Sequence, residues 1–306
     1  MSRQTEKAFK AMHEFLAKNA TEDMSMDEVN EMLGKFMEQY NSNIPEDVTE
    51  KTAKTADDFV ELALAAQEED DIPEALRFAR KALKIDPDNL DAELIVAVYG
   101  GAKYYDTVKR LERAVAKGTK IMEKEGYMTD SVGNFWGVLE TRPYMRLRTE
   151  YAKALLEFGM YRRAIAEFEE LIRLCDNDNM GNRYTLMHLY AFMEMKEEAL
   201  ALHEKYENSD EAQMLMPLAM MYYKTGDRDN AEKYLKRIAK SNKDLLKFVK
   251  AFNNDELHKY VSEMDHMGYR PYSIEELITE MAENSTLFRL MWTFFDWAED
   301  VLKKRK

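Results

Sequence analysis

The sequence predicts an all-α protein, and three observations support that class. Its 306 residues include only 11 glycines and 6 prolines, whereas alanine, leucine, methionine, glutamate and lysine, which all favour helices, are abundant. No run of alternating β-branched and polar residues is long enough to predict a strand. Apolar residues instead recur three and four positions apart, which is the spacing of a buried helix face.

The clearest helical pair runs from Ala56 to Asn89, as two amphipathic segments joined by an acidic turn. Counted from Ala56, its apolar and small residues occupy positions 4, 7, 8, 11, 20, 24, 27 and 32: Phe59, Leu62, Ala63, Ala66, Ala75, Ala79, Ala82 and Pro87. Small residues at positions 8 and 20 allow two helices to approach closely. We therefore expect them where the two helices of a hairpin cross.

The same pattern recurs from Met145, from Met180 and from Ala212. The residues at position 20 are all alanines, namely Ala75, Ala164, Ala199 and Ala231. They are separated by 89, 35 and 32 residues, and the last two intervals straddle a period of roughly 34 residues. The first interval leaves room for one degenerate helical pair.

This pattern resembles the tetratricopeptide repeat (TPR), and the resemblance implies a right-handed α-solenoid of helical hairpins. It also implies that the first helix of each hairpin lines a concave groove that binds proteins or peptides. The runs ETRPYMR (140–146) and NDNMGNRY (177–184) are similar to a bacterial subgroup of TPR proteins related to the suppressor-of-tumorigenicity-seven group. We therefore expect a non-catalytic binding scaffold.

Three regions are expected along the chain. Residues 1–50 form a helical extension, residues 51–250 the repeat array, and residues 251–306 a C-terminal helical cap. Within the array we expect clear repeats near 56–89, 145–178, 180–210 and 212–245, and a degenerate pair at 90–127. Ser25 with Glu28, and Ser273 with Glu276, have the spacing of capping boxes at helix starts.

The last predicted helix carries an aromatic face, which comprises Phe288, Met291, Trp292, Phe295 and Trp297. A stack of hairpins must cover its open hydrophobic end, so capping is the favoured use of this face. A homodimer contact or a partner-binding patch is the alternative.

The resemblance places the groove at positions 2, 5 and 9 of each first helix. In three repeats these positions, together with the preceding Arg142, supply the candidate ligand-binding residues: Arg142, Arg146, Thr149, Lys153, Tyr184, His188, Met216 and Met220. The predicted groove is basic and polar near Arg146 and more apolar toward Met220.

The arginines near residue 142 have two main interpretations in a chain of net charge −14. Arg142, Arg146 and Lys153 could bind a carboxylate of a partner, since guanidinium groups hold carboxylates in a bidentate fashion. Arg148 and Arg183, one repeat apart, could instead brace neighbouring repeats by pairing with acidic side chains. Phosphate binding is a third interpretation.

One known TPR binding mode can be compared with the sequence directly. TPR domains that hold chaperone C termini use a clamp of lysines, asparagines and arginine at fixed positions. Four of the corresponding positions hold Thr149, Lys153, Thr185 and Gly181. The clamp is therefore absent.

Catalytic and metal-binding patterns are not found. The five histidines show no HExxH spacing, and the acidic segments at 86–88 and 176–178 lack the later glutamate of a calcium loop. The lone Cys175 lies in an apolar pattern and is expected in the core. We therefore predict no enzyme activity, no metal and no cofactor.

The charge and hydropathy patterns limit the class of partner. The acidic surplus repels phosphate backbones, so nucleic acid is not an expected partner. No apolar run approaches the length of a membrane span, and the N-terminus lacks a signal-peptide pattern, so a cytoplasmic location is expected. Two other functions stay open: a peptide-sensing regulator that acts through a separate partner, and a self-assembling structural protein.

Overall fold

The computed structural model describes residues 3–21, 24–42, 48–103, 105–262, 264 and 269–304. All regular elements in these ranges are helices, which confirms the all-α prediction for them. None of the helices there is both long enough and apolar enough to cross a bilayer. The chain divides into two compact units, Met1–Ala154 and Leu155–Lys306.

Within its described residues, the first unit contains seven α-helices and most of an eighth. They are α1 (Arg3–Asn19), α2 (Met26–Ser42), α3 (Ala56–Glu68), α4 (Ile72–Ile85), α5 (Leu90–Tyr99), α6 (Tyr105–Lys124), α7 (Tyr127–Asp130) and α8 (Arg142–Glu157). Helices α3 and α4 form a hairpin, α4 packs on α5, and α5 packs on α6. Two short 3₁₀ turns, Phe135–Gly137 and Leu139–Thr141, lead into α8.

The described part of the second unit contains the end of α8 and ten further α-helices. They are α9 (Tyr161–Leu174), α10 (Asn182–Phe192), α11 (Lys196–Lys205), α12 (Ala212–Lys224), α13 (Arg228–Ser241), α14 (Leu245–Asn253), α15 (Leu257–Val261), α16 (Ile274–Glu283), α17 (Ser285–Phe288) and α18 (Trp292–Lys303). Helices α10 and α11 form one hairpin, and α12 and α13 form another. The predicted helix at 258–265 is α15 as far as Val261, and residues 263 and 265 lie outside the described ranges.

The alanines predicted at the helix crossings are all completely buried. Ala75, Ala164, Ala199 and Ala231 each have 0% of their surface exposed. Because a larger side chain at a close crossing would force the helices apart, burial of these small residues sets how near the paired helices lie. The prediction that these positions lie inside the hairpins is confirmed.

Six of the described helices end in the same backbone turn. The second residue after each helix end adopts a left-handed conformation, and these residues are Asp70, Gly159, Glu194, Glu207, Gly226 and Asp255. The next residue donates its amide to the carbonyl five positions earlier, as from Asp71 to Ala66 at 2.8 Å. This is the Schellman motif, which satisfies helix-end carbonyls that would otherwise lack a donor.

The N-terminal helices form their own pair. The predicted capping box starts α2, because the Ser25 amide donates to Glu28 at 2.8 Å and the Glu28 amide donates back to the Ser25 hydroxyl at 3.3 Å. The Phe15 ring of α1 lies 5.1 Å from the Phe36 ring of α2. The two helices therefore share an apolar contact.

The aromatic face of the last helix is used inside the second unit. Helix α18 packs on α13 and α14, and its Phe295 ring lies 4.1 Å from the Phe252 ring of α14. Phe294 and Phe295 are fully buried, whereas Trp292 is 63% exposed. The helix thus covers the end of the last hairpin, as expected of a cap, and its role in a dimer stays a prediction.

Replacing one crossing alanine by leucine tests the hairpin geometry. Ala199→Leu in α11, which pairs with α10, is expected to lower the free energy of unfolding by about 1–3 kcal/mol, because the added atoms overfill a closed contact. Ala201→Leu is the matched control, since Ala201 is exposed on the same helix. Urea unfolding measures both, and equal stability of the two variants would contradict the assigned crossing.

Candidate functional site

The repeat register aligns three residues along the first unit. Counted with a period of 34 from Ala56, the second position falls on Asp57 in α3 and on Asp91 in α5, and the equivalent position in α8 is Arg146. We call Asp57, Asp91 and Arg146 the position-2 row. The row belongs to the helix face that the sequence assigned to ligand binding.

Arg146 holds two carboxylates at once. Its Nε and Nη2 donate to the two oxygens of Asp91 at 2.9 and 2.8 Å. Its Nη1 donates to both oxygens of Glu6 in α1, at 2.9 and 3.1 Å. The side chain is 23% exposed, so these charge-assisted bonds are shielded from much of the solvent.

Arg142 supports the same carboxylate from one turn earlier. Its Nε donates to the Trp136 carbonyl at 2.9 Å, and its Nη1 lies 3.5 Å from Glu6. The guanidinium also lies 5.2 Å from the centre of the Trp136 ring, in cation–π contact. With 8% of its side chain exposed, Arg142 is held in place by contacts within the protein.

The surroundings of Arg146 keep its positive charge. Burial lowers the pKa of the guanidinium, but the carboxylates of Asp91 and Glu6 outweigh burial and leave the pKa raised. Arginine is protonated throughout the physiological range in any case. The site therefore presents a permanent cation to a carboxylate.

A second ion pair joins α1 to the other end of the row. Lys10 lies one helical turn after Glu6, and its Nζ donates to Asp57 at 2.8 Å. Both side chains are exposed, at 63% and 60%. Helix α1 thus contacts the position-2 row twice: the carboxylate of Glu6 pairs with Arg146, and the ammonium group of Lys10 pairs with Asp57.

Thr149 and Lys153, the other candidates in α8, lie in different environments. Thr149 is buried, with 4% of its surface exposed. Lys153 is exposed and pairs with Glu150 at 3.1 Å. Of the two, Lys153 is accessible from solvent, and their ligand role stays a prediction.

In the second unit, Tyr184 belongs to a polar cluster. Its hydroxyl donates to Glu211 at 3.0 Å, and the Arg183 guanidinium lies 4.1 Å from the centre of its ring. Burial raises the pKa of Tyr184 further above its ordinary value. The ring is half-buried, so part of it is open to solvent.

Arg183 and Arg148, the two arginines for which a bracing role is predicted, differ in their contacts. Arg183 pairs with the buried Asp178 at 3.2 Å and lies 3.5 Å from Glu211, which precedes α12. Arg148 donates to the Tyr144 hydroxyl at 2.6 Å on its own helix. The bracing role of the two arginines stays a prediction.

His188 lies against a buried carboxyl group that the sequence did not single out. Its Nδ1 is 2.8 Å from the Tyr184 carbonyl, and its Nε2 is 3.7 Å from the nearest Glu280 oxygen. Glu280, from α16, is completely buried, and both of its oxygens lack hydrogen-bond partners, as does His188 Nε2. The side chain of His188 is therefore closed off by the same unit.

Burial drives both groups of this pair toward their neutral forms. It lowers the pKa of His188 to about 4. It raises the pKa of Glu280 well above 4.5, and the nearby carboxylates of Glu276 and Glu283 add to that increase. At neutral pH the folded state therefore disfavours the ionised carboxylate at position 280.

Met216 and Met220 are covered as completely as His188. Both have 0% exposure, and every residue of α12 from Ala212 to Tyr222 is buried. Helix α12 packs against α10, α13 and α16, while α17 packs on α10. The C-terminal helices α16 and α17 therefore lie on helices that carry predicted ligand positions, and the ligand role of the two methionines stays a prediction.

Sequence reasoning missed four residues of the first site: Glu6, Lys10, Asp57 and Asp91. Asp57 and Asp91 could have been found by extending the repeat register to the degenerate pair at Leu90. Glu6 and Lys10 carry no local signal, because their partners lie 140 and 47 residues away.

Other chemistry is sparse in the parts of the chain that the structure describes. No group of three or more histidine, cysteine, aspartate or glutamate side chains there is arranged to hold a metal ion. Cys175 is a buried free thiol, as the apolar pattern around it predicts.

Comparison with protein families gives one match within the chain. Residues 212–245, which span α12, α13 and the start of α14, match the family described as tetratricopeptide repeat. The match falls on the last of the four repeats identified in the sequence. The similarity to the narrower suppressor-of-tumorigenicity-seven group stays a prediction, and none of the curated proteins matches the chain.

Several solved structures are similar to the chain. The MamA protein is 18% identical with a TM-score of 0.44, over 60% of this chain and 90% of that one. YrrB, titled a TPR protein with an unusual peptide-binding site, is 15% identical with a TM-score of 0.41, over 66% and 89%. Pseudomonas aeruginosa pilF is 17% identical with a TM-score of 0.42, over 78% and 91%. Similarity at this level does not extend to binding properties.

Removing Arg146 tests its position between two carboxylates. Arg146→Leu is expected to lower the free energy of unfolding by about 1–3 kcal/mol, because Asp91 is left largely buried without its bidentate partner. Lys153→Leu on the same helix removes an exposed charge and is expected to change stability by about 0.5 kcal/mol or less. Urea unfolding of both variants is the measurement, and Asp91→Asn added to Arg146→Leu should recover part of the loss.

Replacing the buried carboxyl group by an amide tests the second site. In the wild-type chain, the contribution of Glu280 to stability should fall as pH rises above about 4.5, because the unfolded Glu280 ionises there while the folded one resists. Glu280→Gln should remove that loss and be more stable than wild type at pH 8, by about 1 kcal/mol or more. His188 acts in the opposite sense below pH 6.5, so the comparison is made between pH 6.5 and 8.

The exposed Glu204→Gln, on α11 of the same unit, controls for the charge change, because Glu204 is not among the carboxylates that raise the pKa of Glu280. Chemical denaturation monitored by circular dichroism gives the three stabilities. Parallel pH profiles for Glu280→Gln and the wild-type chain would contradict the assignment.

Proposed function

We propose that this protein is a non-catalytic scaffold that binds a protein or peptide through the first-helix face of its hairpins. The contact that decides recognition is a carboxylate of the partner held by Arg142 and Arg146. The observation that carries the proposal is the binding of the Glu6 side chain. Glu6 lies on helix α1, and its carboxylate accepts hydrogen bonds from both Arg142 and Arg146.

The arrangement of Arg146 supports a recognition role. Two of its nitrogens are committed to Asp91 within the repeats, and this contact orients the third toward the position of Glu6. A guanidinium fixed in this way loses little rotamer freedom on binding, so the surface is suited to a carboxylate before the carboxylate arrives. The TPR match at residues 212–245 supports a protein or peptide as the bearer of that carboxylate.

A comparative capture experiment tests the proposal. Full-length wild type, Glu6→Ala and Glu6→Ala with Arg146→Leu are immobilised, exposed to lysate of the source cell, and analysed by quantitative mass spectrometry. Partners are expected to be enriched at least about threefold on Glu6→Ala, where the arginines are vacated, and to be lost when Arg146 is also replaced. Circular dichroism first establishes that each variant is folded.

Two further variants sharpen the comparison. Glu38→Ala, an exposed glutamate of α2, makes the same charge change as Glu6→Ala away from the arginines. Lys153→Glu reverses an exposed charge at another predicted position of α8. If the same proteins were captured by all variants in equal amounts, the proposed surface would be wrong.

A further inference from the structure

Helix α1 meets the position-2 row through its polar side. Glu6 and Lys10 are four residues apart, so they project from neighbouring turns of one helix face. Glu6 contacts Arg142 and Arg146, and Lys10 contacts Asp57. One acidic and one basic side chain of the helix thus face two arginines and one aspartate of the repeats.

The apolar side of α1 points elsewhere. Its half-buried apolar residues are Ala8, Ala11, Met12, Phe15 and Leu16. At 100° per residue, Phe15 lies about 180° around the helix from Glu6, and its ring contacts Phe36 of α2. The side of α1 that faces the position-2 row is therefore attached mainly by charge.

Such an attachment is selective but modest in energy. The Lys10–Asp57 pair is more than half exposed at both ends, and exposed ion pairs contribute about 0–1 kcal/mol. The Glu6 contacts are better shielded, since its side chain is 20% exposed. The order of charges, with a carboxylate first and an ammonium group one turn later, is what the surface can distinguish.

We infer that the position-2 row is a docking site for an amphipathic helix of a partner that carries a carboxylate and, four residues later, a lysine or arginine. Helix α1 is the internal competitor for this site. The inference rests on the proposed function and specifies the partner: its helical form, its charges and their order. Because α1 is part of the same chain as the site, it competes at an effective concentration of about millimolar. A partner must therefore bind the site tightly enough to displace α1.

A labelled copy of α1 is the probe. The peptide RQTEKAFKAMHEFLAKN, residues 3–19, is titrated with full-length Glu6→Ala, Lys10→Ala protein in low salt, and binding is followed by fluorescence anisotropy. We expect at least about fivefold tighter binding than to the wild-type chain, in which α1 is docked. Raising the salt concentration to about 0.5 M should weaken binding, since the contact is ionic.

The matched control is the same peptide with Glu6→Lys and Lys10→Glu, in the numbering of the full chain. It has the same composition as the probe and reverses the order of charges only, so it should bind at least about fivefold more weakly. If both peptides bound equally, or neither bound, the inference would be overturned.

A charge exchange at the exposed pair avoids variants that fail to fold. Adding Asp57→Lys to the Glu6→Ala, Lys10→Ala protein should lower its affinity for the native peptide. A peptide that carries Lys10→Glu should bind this triple variant more tightly than the native peptide does. Failure of that recovery would also overturn the inference. The proposed function would survive either failure if captured partners still depended on Arg146, so the two outcomes are distinguishable.

Discussion

The close crossing of paired helices at alanine is the constraint on which the structure depends. Where Ala75 or Ala231 meets its neighbouring helix, the side chains are fully buried and leave no room for a larger group. Pairs that close in this way bury one side of each first helix and leave another side to be covered. In each unit the chain covers that remaining side with one of its own terminal segments.

The two terminal coverings differ in chemistry. In the first unit, α1 reaches the repeats through ion pairs that water and salt can replace, because Lys10 and Asp57 are exposed. In the second unit, α16 and α17 lie on α12 and α10, and Met216 and Met220 lose all contact with solvent. The first covering is held mainly by ion pairs, whereas the second is part of the hydrophobic core.

The local features of the fold were predictable because they depend on short-range spacing. The crossing alanines follow the period of the repeat, and Ser25 with Glu28 shows the capping box within four residues. The arginines of the carboxylate site were predictable, because Arg142 and Arg146 stand out in an acidic chain. Their partner Glu6 was not predictable, because it lies about 140 residues away in the sequence. No period or propensity links such distant residues, and the buried Glu280 likewise lies on a helix whose neighbouring glutamates give it no distinguishing signal.

The repeated Schellman turns have a consequence for redesign of the chain. Gly159 and Gly226 adopt the left-handed conformation without steric conflict, but Asp70, Glu194, Glu207 and Asp255 hold the same conformation with a β-carbon. Each of these acidic residues carries a conformational cost of about 1 kcal/mol. The hydrogen bonds of the turn join backbone atoms, so glycine at any of these four positions would remove that cost while the helices keep their register.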